Sequence, residues 1–202
     1  MWQRWKTFLV RKNSQFQCYD FKDNNPKEVE WKMTKTLLLM RHGKSSWKEK
    51  GLADEKRPLK KRGVEAAVMI GKTLKVNEIV PDLILSSPAK RAKNTAEIVA
   101  KECDYKHKIE FVDSFYMAEP NAYIARLKEV PSKVKCVLVV GHNPGLEALL
   151  QMIDGHVNAM PTGSLAIIKL DLASWDAFSA ESGGSVTAFW DPEQKEAKKS
   201  KK

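Results

Sequence analysis

Residues 35–43 read Lys-Thr-Leu-Leu-Leu-Met-Arg-His-Gly, so an apolar run of strand length ends directly in an arginine, a histidine and a glycine. An apolar run without polar alternation is typical of a strand that is covered on both faces of its sheet. The same arrangement recurs at 82–88, which read Asp-Leu-Ile-Leu-Ser-Ser-Pro, and at 136–144, which read Cys-Val-Leu-Val-Val-Gly-His-Asn-Pro. These three segments predict the central strands of one sheet.

Helical patterns alternate with these strands. Apolar residues recur at helical spacing over 62–74, and further helices are predicted over 88–102, 121–128 and 144–153. Ser87 is expected to cap the second helix, with Pro88 at its first position. Segments 108–112, 164–170 and 186–190 predict the remaining strands. Strands that alternate with helices favour an α/β fold with a mostly parallel sheet and helices on both of its faces.

The composition is that of an ordinary soluble protein. Of the 202 residues, 43% are hydrophobic and 30% charged, and no apolar run approaches the roughly 20 residues of a membrane helix. The three cysteines are an odd number without a close pair, which argues against a disulfide framework and favours a reducing, cytoplasmic location. The formal net charge of +10 would attract phosphorylated ligands and nucleic acid alike.

The two ends of the chain differ from the middle. Residues 1–33 show no sustained period, and we consider three explanations for them: a natural start at Met33, a poorly ordered arm, or an accessory segment. Residues 191–202 form a Lys-rich tail that is too polar to bury, so we expect it to be disordered. Residues 34–190 are therefore predicted to form the functional domain.

Cationic and hydrogen-bonding side chains follow all three strong strands. Arg41 and His42 follow the first, Arg91 lies in the first helical turn after the second, and His142 follows the third. The carboxyl ends of parallel strands meet at one edge of a sheet, where ligands bind, and the first turns of helices there present free N–H groups. Two arginines, two histidines and helix N-termini together predict a pocket for a phosphate dianion.

These residue types can also carry out phosphoryl chemistry. The planar guanidinium of arginine binds phosphate oxygens two at a time and stays charged. A neutral imidazole is a nucleophile near pH 7, so one histidine could attack phosphorus and form a covalent phosphohistidine that water hydrolyses. The second histidine, protonated or oriented as a donor, would stabilise the phosphoryl oxygens. No cluster of metal-ligating residues occurs in the sequence, and we expect neither a metal nor another cofactor.

Several motifs in 34–190 together resemble the histidine phosphatase superfamily, also called phosphoglycerate-mutase-like, and in particular its SixA-type phosphohistidine phosphatases. They are Leu39-Met40-Arg41-His42-Gly43-Lys44-Ser45-Ser46-Trp47, Arg57-Pro58-Leu59, Arg62-Gly63, Ser86-Ser87-Pro88-Ala89 with Arg91, Thr95-Ala96-Glu97, Gly141-His142-Asn143-Pro144 and Pro161-Thr162-Gly163-Ser164. The resemblance implies a three-layer α/β/α sandwich without metal or organic cofactor. It also implies that His42 is the phosphorylated nucleophile and that Arg41, Gly43, Arg91 and His142 bind phosphate.

The general acid is left open by the sequence. Enzymes of this superfamily that cleave esters need a carboxylic acid to protonate the leaving oxygen. We favour Asp113, just after the fourth strand, over Glu119, which precedes Pro120. A phosphohistidine substrate leaves as imidazole, whose reference pKa of about 6.5 makes a weak or absent acid sufficient.

The predicted activity is a metal-independent phosphohydrolase, preferably for phosphohistidine in proteins. The short segment between the second helix and the third strong strand leaves little chain for a lid, and an open site suits a phosphate on a protein surface. The alternatives are a phosphomonoesterase for general or small phosphoesters and an inactive phosphate- or phosphoprotein-binding module. A mutase would have to exclude water. We expect no nucleic acid or membrane partner.

Overall fold

The computed structural model describes residues 7–12, 15–20, 34–49, 51–156 and 159–192. The chain divides into two compact units, Met1–Lys32 and Met33–Lys202. In the first unit, β1 (Thr7–Lys12) pairs antiparallel with β2 (Gln15–Asp20). We assigned no element to this segment, because its residues follow no sustained period, and the hairpin corrects that interpretation. The predicted start at Met33 and residues 193–202 of the predicted tail lie outside the described residues.

The second unit is a six-stranded sheet with helices on both faces. Its strands are β3 (Lys35–Arg41), β4 (Leu83–Ser86), β5 (Glu110–Phe111), β6 (Cys136–Gly141), β7 (Leu165–Leu170) and β8 (Ser185–Trp190). Its α-helices are α1 (Lys61–Val76), α2 (Lys90–Glu102), α3 (Pro120–Lys128) and α4 (Gly145–Asp154). The strand order is β5-β4-β6-β3-β7-β8. The first four strands are parallel, whereas β7 and β8 form an antiparallel edge.

Strand β3 explains why the sequence around it is continuously apolar. Leu38 and Met40 pack in one core with residues of α1 and α2, whereas Leu37 and Leu39 pack in a second core with residues of α3 and α4. All four side chains are completely buried, and burial of each contributes roughly 1.5–3 kcal/mol. The two cores confirm the predicted three-layer α/β/α sandwich.

Single-turn 3-10 helices at Asp54–Lys56, Asp113–Phe115 and Trp175–Ala177 interrupt the longer connections. Tyr123 and Leu127 of α3 are fully buried in the second core, so this helix belongs to the helical layer. Across the described residues, no helix has the length and apolar character required to cross a membrane.

Candidate active site

The sheet register brings the three predicted motifs to one edge. Strand β6 lies between β3 and β4, with Gly141 opposite Arg41 and Val140 opposite Ser86. The residues that follow these strands are therefore neighbours, and the ring centroids of His42 and His142 lie 5.0 Å apart. The expected convergence of the two histidines is thus a consequence of strand order.

His42 is held as a neutral imidazole with a defined tautomer. Its Nδ1 lies 2.8 Å from the carbonyl oxygen of Gly43, and since a carbonyl only accepts, Nδ1 carries the proton. Its Nε2 accepts a hydrogen bond from Nε of Arg91 at 3.3 Å. Burial, with a further contribution from the nearby arginine charges, outweighs the Gly43 contact and lowers the pKa of His42 to about 4. Near pH 7, Nε2 therefore keeps a lone pair directed at Arg91.

Gly43 has a structural role beside the two histidines. Its N–H donates to Oγ1 of Thr95 at 3.0 Å, while its carbonyl receives the His42 proton. A Cβ at this position would lie 2.6 Å from the carbonyl oxygen of Gly63, so only glycine fits the close approach of the two backbones. The amide of Gly43 is directed at Thr95 in this structure, and phosphate binding by Gly43 stays a prediction.

His142 is the second buried imidazole of the site. Its Nε2 lies 2.8 Å from Oγ of Ser87, and burial, together with the charges of His42 and Arg91, lowers its pKa to about 3. Near pH 7 it is neutral, so of its two expected forms the oriented donor fits better than the imidazolium. The expectation that Ser87 caps α2 is wrong, since the helix begins at Lys90 after Ala89 and the Ser87 hydroxyl orients His142.

Arg91 is fixed by a carboxylate that sequence analysis did not single out. Its Nη1 donates to the backbone oxygen of Asp54 at 2.7 Å, and its Nη2 donates to Oδ2 of Asp54 at 2.8 Å. Arg91 lies in the first turn of α2, as expected, and is 6% exposed. Each of the three guanidinium nitrogens therefore donates one hydrogen bond, and the one from Nε reaches Nε2 of His42.

The Asp54 carboxylate also binds two other side chains. Nη1 of Arg57 donates to its Oδ1 at 2.7 Å, and the Tyr116 hydroxyl donates to its Oδ2 at 3.0 Å. Partial burial would raise the pKa of Asp54, but the hydrogen bonds from Arg57, Tyr116 and Arg91 outweigh it and lower this pKa to about 2. Asp54 is consequently ionised at any working pH and cannot serve as a proton donor.

Arg41 is positioned through the loop before β7. Its Nη1 donates to the carbonyl oxygen of Met160 at 2.8 Å, and Nδ2 of Asn143 donates to the same oxygen at 3.1 Å. The N–H of Met160 in turn donates to Oε1 of Glu147 in α4 at 2.7 Å. Glu147 therefore holds the backbone N–H of Met160, and Arg41 binds the carbonyl oxygen of the same residue.

These side chains line a cavity of about 470 Å³. Its lining consists of Arg41, His42, Arg91 and His142 together with Lys44, Ser45, Trp47, Asp54, Arg57, Tyr116, Met117, Asn143 and Thr162. Both general-acid candidates, Asp113 and Glu119, are exposed and are not among the lining residues. Asp113 begins a 3-10 helix and Glu119 precedes α3, so the structure does not bring either carboxylate to the histidines.

The residues missed by sequence analysis carry weak local signals. Asp54 stands three residues before Arg57, and Glu147 lies in the first turn of α4; each is compatible with an ordinary surface carboxylate. Their partners are distant in the chain, and only the fold brings them together. Within the described residues, no three His, Cys, Asp or Glu side chains come together as a metal site would require.

Comparisons with known proteins agree with this geometry. The family model described as histidine phosphatase superfamily (branch 1) matches residues 37–115. An uncharacterized chloroplastic protein of Arabidopsis thaliana is 30% identical over 160 residues, which cover 75% of this chain and 73% of that protein. A SixA protein of Agrobacterium tumefaciens, assigned as a phosphohistidine phosphatase, is 27% identical with a TM-score of 0.68 over 78% of this chain and 98% of that one. The protein histidine phosphatase SixA in complex with tungstate is 21% identical, with a TM-score of 0.67 over 79% and 98% of the two chains.

Proposed function

The chain belongs to the histidine phosphatase superfamily, and we propose that it removes phosphate from phosphohistidine in proteins through a covalent intermediate on His42. Membership of the superfamily and the likeness to the SixA structure of Agrobacterium tumefaciens identify the chain as a phosphatase. The substrate, the nucleophile and the roles of the other residues are the proposed part. They rest on the cavity and its charges.

The observation that carries the proposal is that the carboxylate lining the cavity, Asp54, is ionised. Among the described lining residues, Asp54 is the one carboxylate, and its pKa of about 2 keeps it ionised. An ester substrate releases an alkoxide, which needs a proton donor in the transition state. Phosphohistidine releases imidazole, whose reference pKa is about 6.5. A site without a carboxylic acid therefore favours cleavage of a P–N bond.

The first chemical step is assigned to Nε2 of His42. The hydrogen bond from Nε of Arg91 passes from Nε2 to an oxygen of the bound phosphoryl group, which frees the lone pair of Nε2. This atom then attacks phosphorus, and the new N–P bond forms as the bond from phosphorus to the substrate nitrogen breaks. Arg41, Arg91 and His142 donate to the phosphoryl oxygens, where negative charge is concentrated. The His42 ring becomes positively charged, and the carbonyl oxygen of Gly43 stabilises the proton on Nδ1. The other ring nitrogen of the substrate phosphohistidine carries a proton taken from solvent beforehand, so the ring departs with the bonding electron pair as neutral imidazole.

The second step restores the enzyme. Water attacks the phosphorus of the intermediate, the bond to Nε2 of His42 breaks, and the bonding electron pair returns to the ring. One proton of the water stays on the released phosphate and the other passes to solvent. The Gly43 carbonyl holds the same tautomer of His42 through both steps, so the nucleophile is regenerated in its starting form without reorientation.

The rim of the cavity supports a phosphate that is attached to a protein. Of residues 115–126, only Tyr116 and Met117 line the cavity, and Met117 is 75% exposed. Helix α3 is packed into the core instead of covering the site. A cavity without a helical cover admits a side chain that is displayed on the surface of another protein.

The test is turnover in EDTA of a histidine-phosphorylated carrier protein beside para-nitrophenyl phosphate. His42→Ala removes the proposed nucleophile, and His156→Ala is the matched control because His156 is an exposed histidine outside the cavity. We expect fast loss of phosphohistidine, slow ester cleavage, an inactive His42→Ala variant and an unaffected control. Faster ester cleavage would instead indicate a general phosphomonoesterase and would revive Asp113 or Glu119 as the acid. Turnover of neither substrate would contradict both readings.

A further inference from the structure

Trp47 is exposed at the mouth of the cavity in a defined position. Its side chain is 75% exposed, although large aromatic side chains are normally well buried. The guanidinium carbon of Arg57 lies 3.2 Å from the centre of the Trp47 ring, so one face of the indole rests on a cation. The remaining surface of the ring is open to solvent and belongs to the cavity lining.

The support beneath Trp47 is rigid. Arg57 is 8% exposed, and its guanidinium donates to the Ser46 carbonyl, to Oδ1 of Asp54 and to Oγ of Ser45 at 3.0, 2.7 and 2.9 Å. All its donor nitrogens are thus committed, and its position is set by three separate contacts. A guanidinium held in this way against an aromatic face contributes a cation–π attraction that orients the ring. Trp47 is therefore a fixed platform rather than a freely rotating surface side chain.

Met117 supplies a second exposed apolar group to the same cavity. It is also 75% exposed, and its backbone has a φ of +49°, a left-handed conformation that few residues other than glycine adopt. Residues held in such a conformation cluster at functional sites. A thioether makes favourable contacts with the edges of aromatic rings. Trp47 and Met117 come from different loops and share one cavity.

The cavity lining has two chemically different parts. Arg41, Arg91 and the two histidines match a phosphoryl group, whereas Trp47 and Met117 present mainly apolar surface, apart from the single N–H of the Trp47 indole. We infer that Trp47 and Met117 are specificity-determining residues that hold a planar aromatic leaving group, with the ring stacked on Trp47 and in contact with the Met117 thioether. The inference rests on the proposed function, for which the ring is the imidazole of phosphohistidine. It adds that the enzyme selects the ring as well as the P–N bond.

Four small substrates separate these two kinds of selectivity. N-phosphoimidazole and phosphoramidate both contain a P–N bond, with and without a ring. Phenyl phosphate and O-phosphoserine both contain a P–O bond, again with and without a ring. For each bond type, the ratio of kcat/KM for the ring substrate to that for the ringless one measures ring recognition. Aromatic contacts of this kind correspond to a ratio change of about fivefold.

The variants are Trp47→Ala, Trp47→Phe and Met117→Ala, with Val76→Ala as the control. Val76 is an exposed apolar residue at the end of α1, outside this cavity. We expect Trp47→Ala to lower the ring ratio about fivefold for both bond types and Met117→Ala to lower it about twofold. Trp47→Phe, which keeps an aromatic face, should restore most of the ratio, and Val76→Ala should leave it unchanged.

Three results have different consequences. An unchanged ring ratio in both Trp47→Ala and Met117→Ala would overturn the inference, as would a wild-type enzyme without ring preference. Either result leaves the proposed preference for P–N bonds intact. A wild-type enzyme that hydrolyses neither P–N substrate would refute the proposed function, while the phenyl phosphate and O-phosphoserine pair would still test the platform.

Discussion

Replacing Asp54 by asparagine should weaken catalysis by releasing Arg91. The carboxylate accepts hydrogen bonds from Nη2 of Arg91, Nη1 of Arg57 and the Tyr116 hydroxyl. Asparagine keeps the size but loses the charge and one acceptor oxygen. A hydrogen bond to a charged group contributes roughly 1.5–3 kcal/mol. Because 40% of the Asp54 side chain is exposed, solvent screens the charge, and we place the contribution of the Arg91 hydrogen bond at the lower end of this range.

We therefore expect kcat/KM of Asp54→Asn to fall about tenfold, which corresponds to about 1.4 kcal/mol. The inhibition constant for inorganic phosphate should rise by a similar factor, because in the proposed mechanism Arg91 binds phosphate oxygens before and during the reaction. Asp104→Asn is the matched control: it also removes an ion-paired carboxylate, that of Asp104 with Lys75, and asparagine tolerates the left-handed backbone there. Steady-state kinetics of both variants provide the measurement.

The pH dependence of stability supplies an independent readout for Asp54. Its folded pKa of about 2 lies below the ordinary value of 3.8, so its contribution to the unfolding free energy is present above about pH 4 and disappears as the pH falls toward 2. After allowance for solvent screening, we expect Asp54→Asn to be destabilised by about 1 kcal/mol at pH 7 in urea unfolding. The difference from wild type should vanish near pH 2. Wild-type kinetics and phosphate inhibition in Asp54→Asn would refute the assigned role.

Three further predictions concern the remaining site residues. NMR titration should show His42 neutral from pH 8 down to about pH 5, because its pKa is about 4; a midpoint near 6.5 would contradict its buried, neutral state. Since this pKa lies below the ordinary value of 6.5, the free energy of unfolding should decrease as the pH falls below about 6.5. Glu147→Ala removes the acceptor for the Met160 N–H and should raise KM about threefold, because the Met160 carbonyl that positions Arg41 loses its support. The melting temperature should fall by about 2–4 °C in calorimetry, and an unchanged KM would show that Glu147 does not position Arg41. Asp113→Asn should keep kcat for para-nitrophenyl phosphate within about twofold, since Asp113 lies outside the cavity lining; a loss of about a hundredfold would restore it as the general acid.

The local pattern of apolar and polar residues was sufficient to predict the main helices and strands of residues 34–190. The continuous apolar run before Arg41 predicted a strand that is buried on both faces, and the apolar residues 37–40 of β3 are completely buried. Helices α1 to α4 lie within a few residues of their predicted bounds. The prediction failed at the Ser87 cap, because a serine at a strand end has the same local signature whether it caps a helix or orients His142. It also failed at the N-terminal hairpin, where no periodic pattern marks β1 and β2.

The sequence alone therefore determined the layered α/β architecture and which side chains gather at one sheet edge. Both follow from short-range patterns, since apolar periodicity selects strand or helix and parallel strands align their carboxyl ends. The tertiary structure alone decided which carboxylate serves Arg91, which carbonyl sets the His42 tautomer and where Trp47 stands. The contacts of Asp54 join it to residues far apart in the chain, Arg91 and Tyr116. Burial likewise moves the histidine pKa values, because desolvation depends on packing that no local pattern encodes.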